Sequence, residues 1–228
     1  MDYIEFLSKN GYSQSLVDIS KGLVKVPDFT VQAPADLSFG FPPVLIPLWS
    51  NGSWPGYIGI VKHWFGGRQD SFVQFYTAEH SFVEVARNFD QLKAWMVFEF
   101  LCNVPAPEEV GAFAESIGFC AANDVDDIFS DCEDISDLAK LSVFKNDLPA
   151  ALEKGDELGD PEWLAKTSGV SEIRGLIASG QYENAWYQLN SSLISKEDIQ
   201  NILNELSPYV NERDVFEGLV SSWVKTNL

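Results

Sequence analysis

Hydrophobic positions along this chain change period several times, and each change predicts a different kind of element. Over residues 2–24, Tyr3, Phe6 and Leu7 share one helical face, and Leu16, Ile19 and Leu23 share another. Two short amphipathic helices are therefore expected, parted at Asn10-Gly11. Residues 25–47 carry Pro27, Pro34, Pro42, Pro43 and Pro47, so the segment is expected to run extended until Val44-Leu45-Ile46 enters a strand. Asn51-Gly52 reads as a tight turn. "YIGIVKHWF" (57–65) then reads as a buried strand, Gly66-Gly67 as a hairpin turn, and "SFVQFYTA" (71–78) as the partner strand. From Ser81 onward Phe82, Val85, Ala86, Phe89, Leu92, Trp95, Met96 and Phe100 recur at helical spacing. That pattern predicts one or two helices covering the sheet.

Pro105 and Pro107 stop this run, and Glu108 and Glu109 suit the positive end of a new helix through about Phe119. From Pro161 the pattern is helical to the end. Ser195 and Asp198 form an imperfect capping box ahead of Ile199, Ile202, Leu203 and Leu206. Asn211 precedes a last helix with Val215, Phe216, Leu219, Val220 and Trp223 on one face. "SGQYENAWYQL" (179–189) has the look of one helical-hairpin repeat, but a single copy makes no array. The order predicts an α+β fold: an antiparallel β-meander covered by helices, with an acidic, all-helical C-terminal portion. The expected division is an α+β domain over 1–150 and a helical extension over 151–228, joined near "EKGDELGDPEW" (153–163).

Composition changes this picture in two ways. Hydrophobic residues make up 46% of the 228 and aromatics 13%, enough to build a core and to exclude global disorder. The net charge of −19 is unevenly placed: residues 106–162 hold 16 acids and 3 bases. Such a field repels nucleic acid and anionic lipid and steers basic proteins inward, screened by salt over roughly 10 Å. No apolar run approaches the roughly 18–20 residues of a membrane span, and the first residues lack the basic-then-apolar order of a signal peptide. Three cysteines (Cys102, Cys120, Cys132) without a CxxC pair point to reduced thiols. A cytoplasmic protein is the expectation.

Candidate chemistry is sparse. The two histidines, His63 and His80, show no zinc spacing with the cysteines, and no phosphate-binding loop or nucleophile elbow is present. Neither a catalytic residue, a metal site nor a cofactor is expected; a general base at His63 or His80 beside a carboxylate is the minor alternative. In "NDVDDIFSDCEDISDLAKL" (123–141), Asp124 and Asp126 imitate the start of a calcium loop, but Ile128 and Ile135 occupy ligand positions and no glycine follows. Val125, Ile128, Phe129, Cys132, Ile135, Leu138 and Leu141 instead define one amphipathic helix. Its outer stripe is Asp124, Asp127, Asp131, Asp134 and Asp137, at spacings where like charges cost about 0.2–0.5 kcal/mol per pair. The stripe reads either as a solvated face or as a face for a basic protein partner. Trp49 and Trp54 flank the Asn51-Gly52 turn and are expected to be partly exposed, so Trp49, Asn51 and Trp54 form a second candidate partner-binding patch.

The stretches "IPLWSNGSWPGYIGIV", "DSFVQFYTA" and "SFVEVARNFDQLKAWMVFEFL" resemble, in order and character, the meander and following helix of the SUKH superfamily, over about residues 40–101. "APADLSF" (33–39) departs from that family's amphipathic helix with its Leu-Pro-x-Asp motif, and the acidic and helical remainder lies outside the shared module. The resemblance implies a non-enzymatic α+β binding scaffold, often an immunity protein that neutralises a bacterial toxin. The expected partner is then a basic toxin domain. The alternative is an accessory or scaffold protein whose helical C-terminal part docks a protein.

Overall fold

In a computed structural model, residues 2–24, 40–50, 56–77, 80–102, 106–130, 135–154, 168–190 and 194–227 are described. Helices α1 (Tyr3–Lys9) and α2 (Gln14–Ser20) open the chain. Asp2 caps the first, accepting from the Glu5 amide at 2.7 Å, and Ser13 caps the second, accepting from Leu16 at 3.3 Å. Gly11, at φ 77°, supplies the left-handed residue that parts them. Tyr3, Phe6, Leu7, Leu16 and Ile19 are buried as their spacing predicts. Leu23 is not: it lies beyond the end of α2 and is 70% exposed.

Four strands follow as an antiparallel meander in the order β1 (Leu45–Ser50), β2 (Gly56–Val61), β3 (Ser71–Tyr76), β4 (Ser81–Ala86). The α+β class is as expected, but three details differ. First, β2 ends at Val61 rather than Phe65, and residues 62–70 form a loop. Second, residues 81–86 are a strand, paired with β3 through Phe75↔Phe82 and Val73↔Glu84, and the helix α3 (Phe89–Leu101) starts only after Asn88 caps it. A strand covered on both faces loses its two-residue alternation, so its apolar run can imitate a helical period. Third, β1 contains Pro47 and Trp49. As an edge strand it tolerates the missing amide, and a register shift between Pro47 and Trp49 absorbs the irregularity.

The register places Tyr57, Val73, Phe75, Phe82 and Glu84 on one face and Ile58, Ile60, Phe72 and Val83 on the other. Gly59 sits where a Cβ would meet Leu45 Cδ1 at 2.5 Å and the Ile46 carbonyl at 2.7 Å, so β1 and β2 approach only because that side chain is missing. Phe72 meets Phe89 of α3, and Tyr57 meets Phe41, which in turn touches Tyr3 of α1.

Helices α4 (Pro107–Ser116), α5 (Ala122–Ser130) and α6 (Ala150–Lys154) lead to α7 (Val170–Ala178), α8 (Tyr182–Gln188), α9 (Lys196–Leu206) and α10 (Arg213–Asn227). The single helix expected over 123–141 is instead α5 and a 3-10 turn at Ile135–Lys140. Ser195 does cap α9, accepting from the Asp198 amide at 3.1 Å. The C-terminal helices share the hydrophobic core of the sheet: Trp64 meets Phe216 at 5.3 Å, and the Trp223 indole N–H donates to the Phe41 carbonyl at 2.8 Å. Asn227 Oδ1 accepts from the Phe41 amide at 2.9 Å, and Asn190 Oδ1 accepts from the Val44 amide at 3.1 Å. Two side-chain amides from the C-terminal segment thus satisfy backbone donors just ahead of the edge strand.

Candidate functional site

Two assemblies of polar groups stand out, one outside and one inside. The outer one is the acidic surface of α4 and α5. Pro107 starts α4 where its missing N–H is harmless, and Glu109 accepts from the Ala106 amide at 2.9 Å to close the first turn. Val110, Phe113, Ile117, Phe119 and Val125 are buried, with Phe100 of α3 against Phe113 at 5.4 Å and Phe98 against Phe129 at 5.6 Å. With the apolar side of both helices held on α3, Glu108, Glu109, Glu115, Asp124, Asp126 and Asp127 are left exposed. No lysine or arginine occurs between residues 94 and 139. Lys93, at the border, is directed to Asp90 and to the Gly118 carbonyl.

Of the aspartate stripe, Asp124 and Asp127 are exposed on α5 as expected, whereas Asp137 is half-buried on the 3-10 turn and paired with Lys140 at 2.5 Å. Asp131 and Asp134 lie outside the described residues, as do Asn51 and Trp54. Trp49 corrects the second candidate patch: it is 2% exposed inside β1, because the strand continues through the position expected to flank a turn. It is a core residue, not a contact.

The inner assembly joins the sheet to the C-terminal helices. Glu84 is fully buried at the centre of β4. It accepts from Ser71 Oγ at 2.6 Å, from Arg87 Nε at 3.2 Å and Nη2 at 3.1 Å, and from the Ala150 amide at 3.1 Å; Arg68 lies 3.6 Å away. A buried carboxylate needs this density of donors to offset lost hydration. Arg87 reaches on to Asp147 at 2.6 Å. On the other side, Ser71 Oγ lies 3.2 Å from His63 Nε2, His63 Nδ1 lies 2.5 Å from the Tyr187 hydroxyl, and Tyr187 donates to Glu183 of α8 at 2.6 Å. Burial, reinforced by the Arg68 charge, pulls the His63 pKa down to about 4, and burial raises that of Tyr187.

This relay contains a serine, a histidine and a carboxylate, the residue types of acyl-transfer chemistry, but not in that order. The Ser71 hydroxyl donates to Glu84, and Ser71 is 1% exposed, so it is not presented to solvent. His80, the other histidine, lies ahead of β4 at φ 50° and holds the Asn190 carbonyl at 2.5 Å. Among the described residues no group of three His, Cys, Asp or Glu side chains converges as a metal site, and no helix is long and apolar enough to cross a membrane. Sequence reasoning singles out His63 but misses Ser71, Glu84, Arg87 and Tyr187. One signal is there: Glu84 is the lone charge inside the apolar run "SFVEVA".

Compared with protein-family models, curated proteins and solved structures, the chain matches none.

Proposed function

We propose that this chain is a non-enzymatic binding protein that captures a basic protein partner on the acidic face of α4 and α5, in the manner of a SUKH-like immunity protein neutralising a toxin. The observation that carries the reading is that Glu108 and Glu115 of α4 and Asp124, Asp126 and Asp127 of α5 are all exposed, in a stretch without a lysine or arginine from 94 to 139. Concentrated like charge weakens helices slightly and offers a basic partner fast, salt-sensitive association. A meander followed by a helix, within residues 45–101, is the order on which the resemblance rests, with residues 81–86, read there as the start of the helix, forming β4. In that reading the relay of His63, Ser71 and Glu84 is structural, and the protein works in the cytoplasm.

The test uses the chain as bait in an extract of its own host, beside a variant carrying Glu115→Gln, Asp124→Asn and Asp127→Asn. A basic protein retained by the first and lost from the second, and lost from both above about 0.5 M salt where the Debye length falls to a few Å, is the expected result. Equal retention of that protein by both baits overturns the acidic face as the interface. A second reading has its own observation: Tyr209, 48% exposed, stacks on Tyr182 at 4.0 Å on the C-terminal helices. If Tyr209→Ala abolishes retention and the acidic variant does not, the protein is a scaffold that docks through its C-terminal part.

A further inference from the structure

The relay between sheet and helix places a buried histidine, His63, between α8 and β3. Tyr187 donates its hydroxyl hydrogen to Glu183 Oε1, so toward His63 its oxygen acts as an acceptor, and His63 Nδ1 at 2.5 Å is the donor. His63 Nε2 then carries a lone pair. Facing it at 3.2 Å is Ser71 Oγ, whose own hydrogen is turned toward Glu84 at 2.6 Å. The neutral imidazole therefore joins α8 to the loop 62–70 through one hydrogen bond, while the Ser71 hydroxyl spends its hydrogen on Glu84.

We propose that His63 is an acid-sensitive latch: neutral, it lets α8 close on the loop 62–70 with its Nδ1–H on Tyr187, and protonated, it keeps that bond but puts an unhydrated charge into the closed site, so that α8 and the loop part. The groups facing His63 decide the sign. From α8 come Tyr187 and, behind it, Glu183. From β3 comes Ser71, and from β4 comes Glu84, behind which stands Arg87. From the loop comes Arg68, which sits close enough to repel an imidazolium. Of the two carboxylates one hydrogen bond away, Glu84 is already engaged by Arg87, Ser71 and the Ala150 amide, and Glu183 by the Tyr187 hydroxyl. A second proton on His63 gains one hydrogen bond to Ser71 and loses the hydration of a full charge in a site 6% exposed. Loss of hydration is the larger effect. The Glu183 carboxylate lies over Gly66, so the loop and α8 meet there as well.

With the folded pKa near 4 and the free value near 6.5, the opened state binds more protons between those limits. The closed state is favoured fully above about pH 6.5 and loses its advantage as pH falls toward 4. From pH 7 to 5 the opening equilibrium rises by at most roughly 20-fold.

Hydrogen exchange on the full chain tests this, comparing amides of α8 with those of α3 after correction for intrinsic rates. The expected result is that protection of α8 falls severalfold more than that of α3 between pH 7 and 5. Arg68→Gln, which removes the repelling cation from a partly exposed position, should raise the His63 titration midpoint and make the acid loss smaller. Ring NMR with His80→Gln as the assignment aid reads that midpoint. A His63 midpoint at or above 6.5, or equal loss of protection in α8 and α3, overturns the latch. So does an Arg68→Gln variant with an unchanged midpoint and pH profile.

Discussion

Glu84→Ala strands several donors at once, because the two buried carboxylate oxygens take Ser71 Oγ, the Arg87 guanidinium and the Ala150 amide. An unsatisfied buried donor costs about 1–3 kcal/mol, and breaking a buried ion pair costs about 3–5 kcal/mol. These do not simply add. Arg87 keeps Asp147 as a partner at 2.6 Å, and its side chain is 20% exposed, so water takes up part of the stranded charge. A net loss of about 3–5 kcal/mol is expected, within reach of the whole stability of an ordinary domain. For a chain of this length each kcal/mol lowers Tm by about 2–4 °C, so the drop should lie between about 6 and 20 °C. Urea unfolding followed by far-UV circular dichroism, with m compared between variants, gives the free energy. Glu84→Ala combined with Arg87→Ala should cost less than the two changes summed, since each removes the other's penalty. Glu84→Met with Arg87→Met should recover much of the loss, as apolar pairs of similar volume do elsewhere. A Glu84→Ala loss below about 1 kcal/mol at unchanged m would refute the reasoning, because three donors cannot then depend on that carboxylate.

Trp49→Ala should destabilise by about 3–5 kcal/mol in the same assay, as expected of a buried core aromatic; a change under about 1 kcal/mol would return Trp49 to the surface. Gly59→Ala should also destabilise, since its Cβ meets the Ile46 carbonyl, a backbone atom that cannot step aside, and a neutral outcome would mean that β1 and β2 are farther apart. Burial raises the Glu99 pKa above its ordinary value, so stability should fall as pH rises through the carboxylate range by more in the native protein than in Glu99→Gln; identical pH profiles of stability contradict this. Cys102 and Cys120 are exposed thiols, and brief alkylation of the native protein should modify both, as read by peptide mass spectrometry.

Much of the outer site is legible in the order of residues alone, because charge and helix capping are local properties. Asp2, Ser13, Asn88 and Ser195 each accept from an amide three residues on, so a few consecutive residues determine where those helices begin. The exposure of Asp124 and Asp127 follows equally locally, from the apolar spacing that puts Val125 in the core. The continuity of the stripe does not follow. Asp137 stands on a separate 3-10 turn with Lys140, since a run of helical spacing does not require one unbroken helix.

By itself, then, the sequence determined the class of the fold, the two opening helices, the first three strands of the meander, the helical C-terminal portion and the strongly acidic character. All of these rest on periodicity, caps and composition within short windows. Only the tertiary structure decided that residues 81–86 pair as β4, that Trp49 is core, and that His63, Ser71, Glu84 and Tyr187 meet. The physical reason is the same in each case. A strand covered on both sides shows no alternation, so its identity depends on the neighbours that cover it. The relay spans from residue 63 to residue 187, and a hydrogen bond at that separation exists only because the C-terminal helices pack against the far end of the sheet.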